Sequence, residues 1–237
     1  MNTEKKIELL RALKEEYRGC VRCPLSAPVG RGRSHVVFGE GNPDAGVLLV
    51  AEAPGPASEQ YGRAMMEEYG TLLRQYLEGL ESSPDDVYIT YLVSCRPTSP
   101  DNPSKPRPPA GDEIEACWSR LSREIEIVDP YVVVCLGEKP YKELTSNPKS
   151  LLQVARDGTV PMQWAETRGR FVPTKRSAYA TFDPGYLLKR LEEIGPQAFW
   201  RTGSDAHHTY ETLKTAFMVA DMQAHINYGT PIPSRGT

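Results

Sequence analysis

The chain has 237 residues, of which 39% are hydrophobic and 25% charged, and its formal net charge is -3. This length allows one α/β domain with a full core, and the composition excludes a disordered chain and a strongly basic nucleic-acid-binding protein, though not a local basic surface that binds DNA. No apolar run reaches the ~20 residues that cross a bilayer, and the charged amino terminus is unlike a signal peptide. We therefore expect a cytoplasmic protein without disulfides that does not bind membranes.

The amino-terminal segment predicts a helix followed by a pair of cysteines. Apolar residues at helical spacing, with charged residues between them, indicate a surface helix over residues 3–18. Cys20 and Cys23 follow, and their two-residue spacing suits zinc, redox chemistry or an iron–sulfur cluster. Residues 26–46 are rich in Gly, Pro and Arg and predict a loop with an edge strand at 36–38.

The apolar run at residues 47–51 predicts the first strand of the core. Five apolar residues without alternation indicate a strand buried on both faces, and Pro and Gly end it abruptly. Turns beyond the carboxyl ends of parallel strands line the ligand crevice of an α/β sheet, although an ordinary strand-to-loop junction has the same residue types. We expect this turn to form the floor of a site; its residues are Glu52, Ala53, Pro54 and Gly55.

The next elements alternate between helices and strands. Helical spacing predicts a helix over residues 63–80, and a second strand follows at 87–93. The segment 97–111 holds six of the 21 prolines and is predicted to be irregular, before a helix that opens at residue 112. Further along, the pattern predicts buried strands at 131–137 and 178–182, a helix at 140–144, irregular chain at 145–170 and a long terminal helix around 210–222.

Several motifs occur along these elements in a fixed order. They are Cys-x-x-Cys-Pro-Leu, a buried strand into Glu-Ala-Pro-Gly, Gly62-Arg63, Cys95-Arg-Pro, Arg107-x-Pro109 before Glu113 and Cys117, and Thr181-x-x-Pro184-x-Tyr186-Leu-Leu. Together they resemble the family 4 uracil-DNA glycosylases, the iron–sulfur members of the uracil-DNA glycosylase superfamily, over roughly residues 14–191. The ordered set is specific, while each part alone is not. The segment between Cys95 and Cys117 is longer than in the family.

The resemblance implies a fold and a cofactor. The fold is a three-layer α/β/α sandwich around a four-stranded parallel sheet within residues 1–194. Beyond the region of resemblance, the helical spacing predicts a helical extension at 195–237, which we expect to pack on the same domain. The cofactor is a four-iron, four-sulfur cluster with a structural role, although four thiolates also suit zinc. Its implied ligands are Cys20, Cys23, Cys95 and Cys117, which leaves Cys135 in the core.

Three positions that contact uracil in the family differ in this chain. In an alignment without gaps from Glu52, Met65 stands where the family has the aromatic residue that stacks on the base. Along the second strand, Tyr91 stands where the family has the Asn that reads the pyrimidine edge. The His of the last motif is Asp183. A hydroxyl cannot give the two-point discrimination of an amide, so we expect uracil specificity to be lost.

The resulting hypothesis is a DNA glycosylase that excises a flipped-out, modified pyrimidine and leaves an abasic site. Asp183 would stabilise the sugar cation and orient water, and Glu52 would position water, although Asp183 also suits a turn and Glu52 could only brace one. Such bases occur in hypermodified bacteriophage genomes, which suggests phage defence. The alternatives are uracil excision in base excision repair, trimming of a free nucleotide, and an inactive DNA-binding protein on this scaffold.

Basic residues near the predicted strand ends indicate a DNA-binding surface, with solvated surface charge as the alternative. We expect a monomer that binds double- or single-stranded DNA. The candidate contacts are Arg63, Lys175, Arg176, Lys189 and Arg190.

Overall fold

A computed structural model describes residues 1–26, 36–145, 147–157, 162–163 and 177–228. The described residues form the strands β1 (Glu40–Gly41), β2 (Val47–Ala51), β3 (Val87–Tyr91), β4 (Thr98–Ser99), β5 (Asn102–Pro106), β6 (Val132–Leu136), β7 (Met162–Gln163) and β8 (Ser177–Thr181). The helices are α1 (Thr3–Tyr17), α2 (Pro56–Tyr61), α3 (Glu68–Gly79), α4 (Gly111–Val128), α5 (Glu138–Leu144), α6 (Leu151–Asp157), α7 (Pro184–Phe199) and α8 (Asp205–Tyr228).

The predicted parallel sheet is confirmed in the four central strands. The sheet has the order β1-β3-β2-β6-β8-β7, in which β3, β2, β6 and β8 pair in parallel. Every residue of β2, β3 and β6 is buried, which explains why these strands are read as continuous runs rather than alternating patterns. Two short strands, β1 and β7, pair antiparallel at the edges, and the sequence predicted neither position.

Helices cover the sheet and complete the core. The predicted amino-terminal helix is α1, which packs on α4, and the predicted terminal helix is α8, which packs on β2, β6 and β8. Five buried residues of α8 lie in the same apolar core as the sheet: Ala206, Leu213, Ala216, Phe217 and Ala220. Gly195, where the sequence placed the start of an extension, has a left-handed φ of 74° inside α7. No helix in the described part of the chain is long and apolar enough to cross a membrane.

The structure corrects two predicted elements in the first half of the chain. The helix expected over residues 63–80 is confirmed as α3 at Glu68–Gly79, but its start is wrong: α2 ends at Tyr61, the following Gly62 is left-handed with φ 64°, and α3 begins only at Glu68. Between them Met65 is also left-handed, with φ 55°, which breaks the helical path. The edge strand expected at 36–38 lies instead at Glu40–Gly41.

Two segments predicted to be irregular contain regular structure. The proline-rich segment 97–111 forms an antiparallel hairpin, β4–β5, which tolerates prolines because the pair stands apart from the main sheet. Within 145–170, the described residues form α6 and β7. In both cases short elements gain their stability from tertiary contacts that local patterns do not show.

Candidate active site

A cavity of about 460 Å³ lies at the carboxyl ends of β2 and β3, beside the amino terminus of α7. It brings together the predicted turn after β2, Met65, Tyr91, Asp183 and Lys189. Other lining side chains were not singled out by the sequence analysis as parts of the pocket, among them Tyr69, Arg96, Pro97 and Arg107. The candidate catalytic and pocket residues therefore converge on one cavity at the edge expected for ligands of an α/β sheet.

Tyr91 is built into the cavity wall. Its side chain is fully buried, and its hydroxyl accepts a hydrogen bond of 2.8 Å from the N–H of Met65 and lies 3.3 Å from the hydroxyl of Ser58. Burial raises the pKa of Tyr91 to about 12 although both hydrogen bonds act in the opposite direction. The hydroxyl therefore stays protonated and is committed to holding Met65 in its left-handed turn.

A second layer formed by Ser58 and Glu67 supports this wall. The carboxylate of Glu67 accepts hydrogen bonds from the N–H of Ser58 at 2.8 Å and from its hydroxyl at 2.6 Å. A Cβ on Gly55 would lie 2.4 Å from the same carboxylate, so the close approach requires glycine there. The contact between Ser58 and Glu67 is not visible in the sequence, because the two residues are nine positions apart and belong to no common local motif.

Tyr69 supplies the partly exposed aromatic ring of the cavity. It lies at the start of α3 and is only partly buried, in contrast to Tyr91, and burial followed by the charge of Glu67 raises the pKa of its hydroxyl. A Cβ on Gly185 would contact this ring at 3.5 Å, which places Tyr69 beside the start of α7. The ring thus faces the same space as Asp183.

Asp183 is the N-cap of α7. Its Oδ1 accepts a hydrogen bond of 3.0 Å from the N–H of Tyr186, and Pro184 occupies the first helical position. Burial raises the pKa of the Asp183 carboxyl, while the N–H groups of Tyr186 and Gly185 and the charge of Lys189 favour its ionised form. The turn-forming role considered from the sequence and a place in the cavity are therefore both present in one residue.

Glu52 faces Asp183 across the cavity. Burial raises the pKa of the Glu52 carboxyl, the negative charge of Asp183 raises it further, and Lys139 opposes the shift. Two carboxyl groups that repel each other in a half-buried site cannot both ionise freely. Burial therefore raises the pKa of both carboxyl groups in the cavity; helix N–H groups and Lys189 stabilise the charge of Asp183, and that charge raises the pKa of Glu52 further.

Most cations near the cavity are held in ion pairs. Arg96 binds Glu59 with Nε 2.7 Å from Oε2, and Arg107 binds Glu113 through both terminal nitrogens. Lys189 is exposed at the cavity. Of the other predicted DNA contacts, Arg63 lies 3.4 Å from Glu40, Arg190 lies 2.6 Å from Glu193, and Lys175 and Arg176 lie outside the described residues.

Three of the four candidate cluster cysteines, Cys20, Cys23 and Cys117, are near enough for their charges to interact. Burial raises the pKa of the Cys23 thiol, and the charges of Cys117 and Cys20 add to the shift, so both sulfurs lie near Cys23. The N–H of Ser94, the residue before Cys95, donates to Cys117 Sγ at 3.4 Å. Among the described residues no three Cys, His, Asp or Glu side chains are arranged as a metal site.

The surroundings of these cysteines nevertheless fit a group with sulfur acceptors. In the described part of the chain, the buried side-chain polar atoms without a hydrogen-bond partner are Ser94 Oγ, Trp118 Nε1 and Arg120 Nε. All three belong to residues beside, or one helical turn from, Cys95 or Cys117. Buried donors without partners are rare in folded proteins, so their clustering here indicates acceptors that the protein chain alone does not supply.

The fold and the cavity define an α/β enzyme whose site lies at the carboxyl edge of a parallel sheet. A family model described as the Uracil DNA glycosylase superfamily matches residues 38–207. The chain therefore belongs to the uracil-DNA glycosylase superfamily, and by that membership it is a DNA glycosylase.

Curated relatives are similar over most of the chain. A protein named Type-4 uracil-DNA glycosylase from Thermotoga maritima is 33% identical over 182 residues, which cover 77% of this chain and 84% of the relative. One of the same name from Sulfurisphaera tokodaii is 36% identical over 194 residues, or 79% of this chain and 82% of the relative.

The raised pKa of Glu52 predicts a pH-dependent cost in stability. The folded protein holds this proton more tightly than the unfolded chain, so stability falls as the pH rises from the unfolded pKa of about 4.3 through the higher folded value. Glu52→Gln removes this titration, so the variant should exceed the unaltered protein in free energy of unfolding at pH 8, with the difference vanishing below pH of about 4. Urea unfolding at several pH values measures the difference.

Glu78→Gln, at an exposed position of α3, is the matched control and should leave the pH dependence unchanged. A difference between the Glu52 variant and the unaltered protein that stays constant with pH would contradict the assignment.

Proposed function

We propose that the protein excises a pyrimidine other than uracil from DNA by hydrolysing its N-glycosidic bond. The observation that carries this proposal is the make-up of the cavity. Among the described residues that line it, two are carboxylic acids, Glu52 and Asp183, and none is an Asn, Gln or His. A uracil edge is read best by an amide that donates and accepts in one plane, and this cavity lacks one.

The hydroxyl of Tyr91 does not replace the amide. It already accepts from Met65, contacts Ser58 and belongs to a fully buried side chain, so it cannot offer a base the paired donor and acceptor of an amide. The partly exposed ring of Tyr69 offers a stacking surface, and base stacking on aromatic side chains is worth ~1 to 3 kcal/mol. Met65 adds a flexible apolar surface that accommodates bases with added groups.

The two carboxyl groups suit the two ends of the reaction. Breaking the bond between the sugar C1′ and the base nitrogen leaves positive charge on the sugar, while the bonding electrons go to the base. Asp183, whose charge the helix N–H groups stabilise, would face the sugar, orient the attacking water and accept its proton. Glu52, whose pKa is raised by burial and by the charge of Asp183, would act in its protonated form and donate a hydrogen bond to a carbonyl oxygen of the leaving base, where the family's His is absent.

Uracil excision is the second candidate, because the relatives at 33% and 36% identity carry the name Type-4 uracil-DNA glycosylase. It would require the cavity to recognise uracil through backbone groups of the turn after β2. The expected role in phage defence, the cytoplasmic location and the monomeric state stay predictions.

Incubation with a panel of modified DNAs tests the base preference. Duplexes and single strands that contain uracil, hydroxymethylated pyrimidines or glucosylated pyrimidines are assayed for alkali-labile abasic sites. We expect faster cleavage of a modified pyrimidine than of uracil. Asp183→Asn should lower that rate ~100-fold or more, because it removes the charge and keeps a side chain that caps α7.

Two further variants separate the assigned roles. Tyr69→Leu should raise KM more than it lowers kcat, and Glu52→Gln, which keeps a donor, should retain more activity than Glu52→Ala. The proposal fails if the unaltered protein cleaves uracil fastest, or if Asp183→Asn leaves every rate unchanged.

We also propose that Cys20, Cys23, Cys95 and Cys117 hold a four-iron, four-sulfur cluster. Four thiolates complete its ligand set, and the clustered buried donors beside Cys95 and Cys117 support it. The cluster would join the segment after α1 to the β3 end and to α4, and thereby brace the region behind the cavity.

The purified protein should then be brown and contain iron and sulfide. Cys95→Ser should bleach it and lower its unfolding midpoint, because one ligand is lost. Cys135→Ala is the control: this thiol lies in the sheet core, where burial raises its pKa to about 12, and its loss should leave the colour intact. A colourless protein loaded with zinc would remove the iron–sulfur proposal.

Lys189 is proposed to contact a DNA phosphate at the cavity. It is exposed, lines the cavity and lies near Asp183, whereas its neighbour Arg190 lies 2.6 Å from Glu193. Lys189→Gln should weaken binding to all DNA sequences and reduce the slope of log affinity against log salt by about 1, while Arg190→Gln should have the smaller effect. Fluorescence anisotropy at several salt concentrations measures both, and equal slopes for Lys189→Gln and the unaltered protein would count against the contact.

A further inference from the structure

A fully buried arginine lies between Cys117 and the carboxyl end of β3. The side chain of Arg120 is 0% exposed, and its carboxylate partner Glu124, one turn further along α4, is 2% exposed. A buried guanidinium requires a partner of opposite charge and a hydrogen bond for each N–H, because leaving water costs several kcal/mol per ion. The hydrogen-bond partners of Arg120 therefore identify the acceptors around this buried charge.

Four of these contacts are to oxygen atoms. One terminal nitrogen donates to Thr90 Oγ1 at 2.9 Å and to Glu124 Oε2 at 2.6 Å. The other donates to the carbonyl oxygens of Tyr91 and Leu92, at 2.5 and 3.3 Å. Arg120 thus binds the backbone at the point where β3 ends and the cavity wall begins.

The third nitrogen of the Arg120 guanidinium, Nε, takes no part in these four contacts. Nε of Arg120 is buried and has no hydrogen-bond partner in the described part of the chain, which is unfavourable for a buried donor unless something accepts from it. Cys117 lies three residues earlier on α4, hence on the same helix face, and its sulfur interacts with the Arg120 guanidinium. The sulfur also receives the N–H of Ser94.

We propose that Arg120 is a positioning residue for the iron–sulfur cluster, with its Nε–H donating to the thiolate of Cys117. This inference rests on the cluster proposed above. A thiol is a weak acceptor and a metal-bound thiolate is a stronger one, so the donor gains its partner when Cys117 is a ligand. Hydrogen bonds to ligand sulfurs stabilise the reduced cluster and so raise its reduction potential.

The same side chain connects the cluster to the base pocket. Its contacts to Tyr91 and Leu92 hold the carbonyl groups at the end of β3 that adjoin the cavity wall, while its guanidinium interacts with the sulfur of Cys117. Arg120 therefore contacts both Cys117 and the backbone of Tyr91, whose hydroxyl accepts the hydrogen bond from Met65.

The test is the double variant Arg120→Met with Glu124→Gln, which removes both buried charges together and keeps a similar volume. Redox titration followed by absorbance and electron paramagnetic resonance gives the midpoint potential, and a chelator assay gives the rate of iron loss. We expect a lower midpoint potential and iron loss that is about 10-fold faster or more, in line with the loss of a hydrogen bond to a metal ligand. Arg123→Met is the matched control, since this arginine lies on the same helix, is partly exposed and pairs with Glu16. The midpoint potential of this control variant should equal that of the unaltered protein.

Arg120→Lys provides a second readout if the double variant fails to fold, because it keeps the charge and lacks Nε; its potential should also fall. An unchanged potential in a folded variant that still contains the cluster, even with a lower melting temperature, overturns the proposal and leaves Arg120 a purely structural residue. An unaltered protein without iron overturns the cluster itself, whatever the base-excision assays show.

Discussion

The hydrogen bond from the N–H of Met65 to the hydroxyl of Tyr91 determines the shape of the candidate site. It joins the turn between α2 and α3 to the last residue of β3, and it holds Met65 in a left-handed backbone conformation that is uncommon for residues other than glycine. Because the bond is buried, losing either partner would leave an unpaired polar group in the core. This bond therefore ties the cavity wall to the last residue of β3.

Around this wall, charge is distributed unevenly. Arg96 and Arg107 face the cavity but are held by Glu59 and Glu113, so their positive charge is largely balanced. The two carboxyl groups, Glu52 and Asp183, line the same cavity, and the negative charge of Asp183 raises the pKa of Glu52. A site of this kind favours a substrate that becomes cationic near Asp183 as its bond breaks, and it disfavours a substrate that enters with negative charge there.

The sequence predicted the sheet well because the four parallel strands are buried on both faces and show unbroken apolar runs. It also placed Glu52, Met65, Tyr91 and Asp183 at one edge, since parallel strands share a carboxyl edge and the family's motifs fall there. The sequence missed α2 and placed the start of the next helix at residue 63 instead of Glu68, because Met65, a good helix former, is left-handed where it contacts Tyr91. The roles of Glu67 and Arg120 depend on tertiary partners, and along the sequence both look like ordinary charged helix residues.

The hairpin β4–β5 gives this part of the chain freedom to change in length. Its base is closed by hydrogen bonds from Arg107 to the carbonyl oxygens of Pro97, at 3.3 Å, and of Thr98, at 2.9 Å, so the chain leaves and returns at nearly one point. Residues inserted between these anchors extend the tip of the hairpin without moving Cys95 relative to Cys117. Evolution can therefore lengthen or shorten the rim of the cavity while the cysteine positions stay fixed, which makes this hairpin a natural place for related enzymes to diverge.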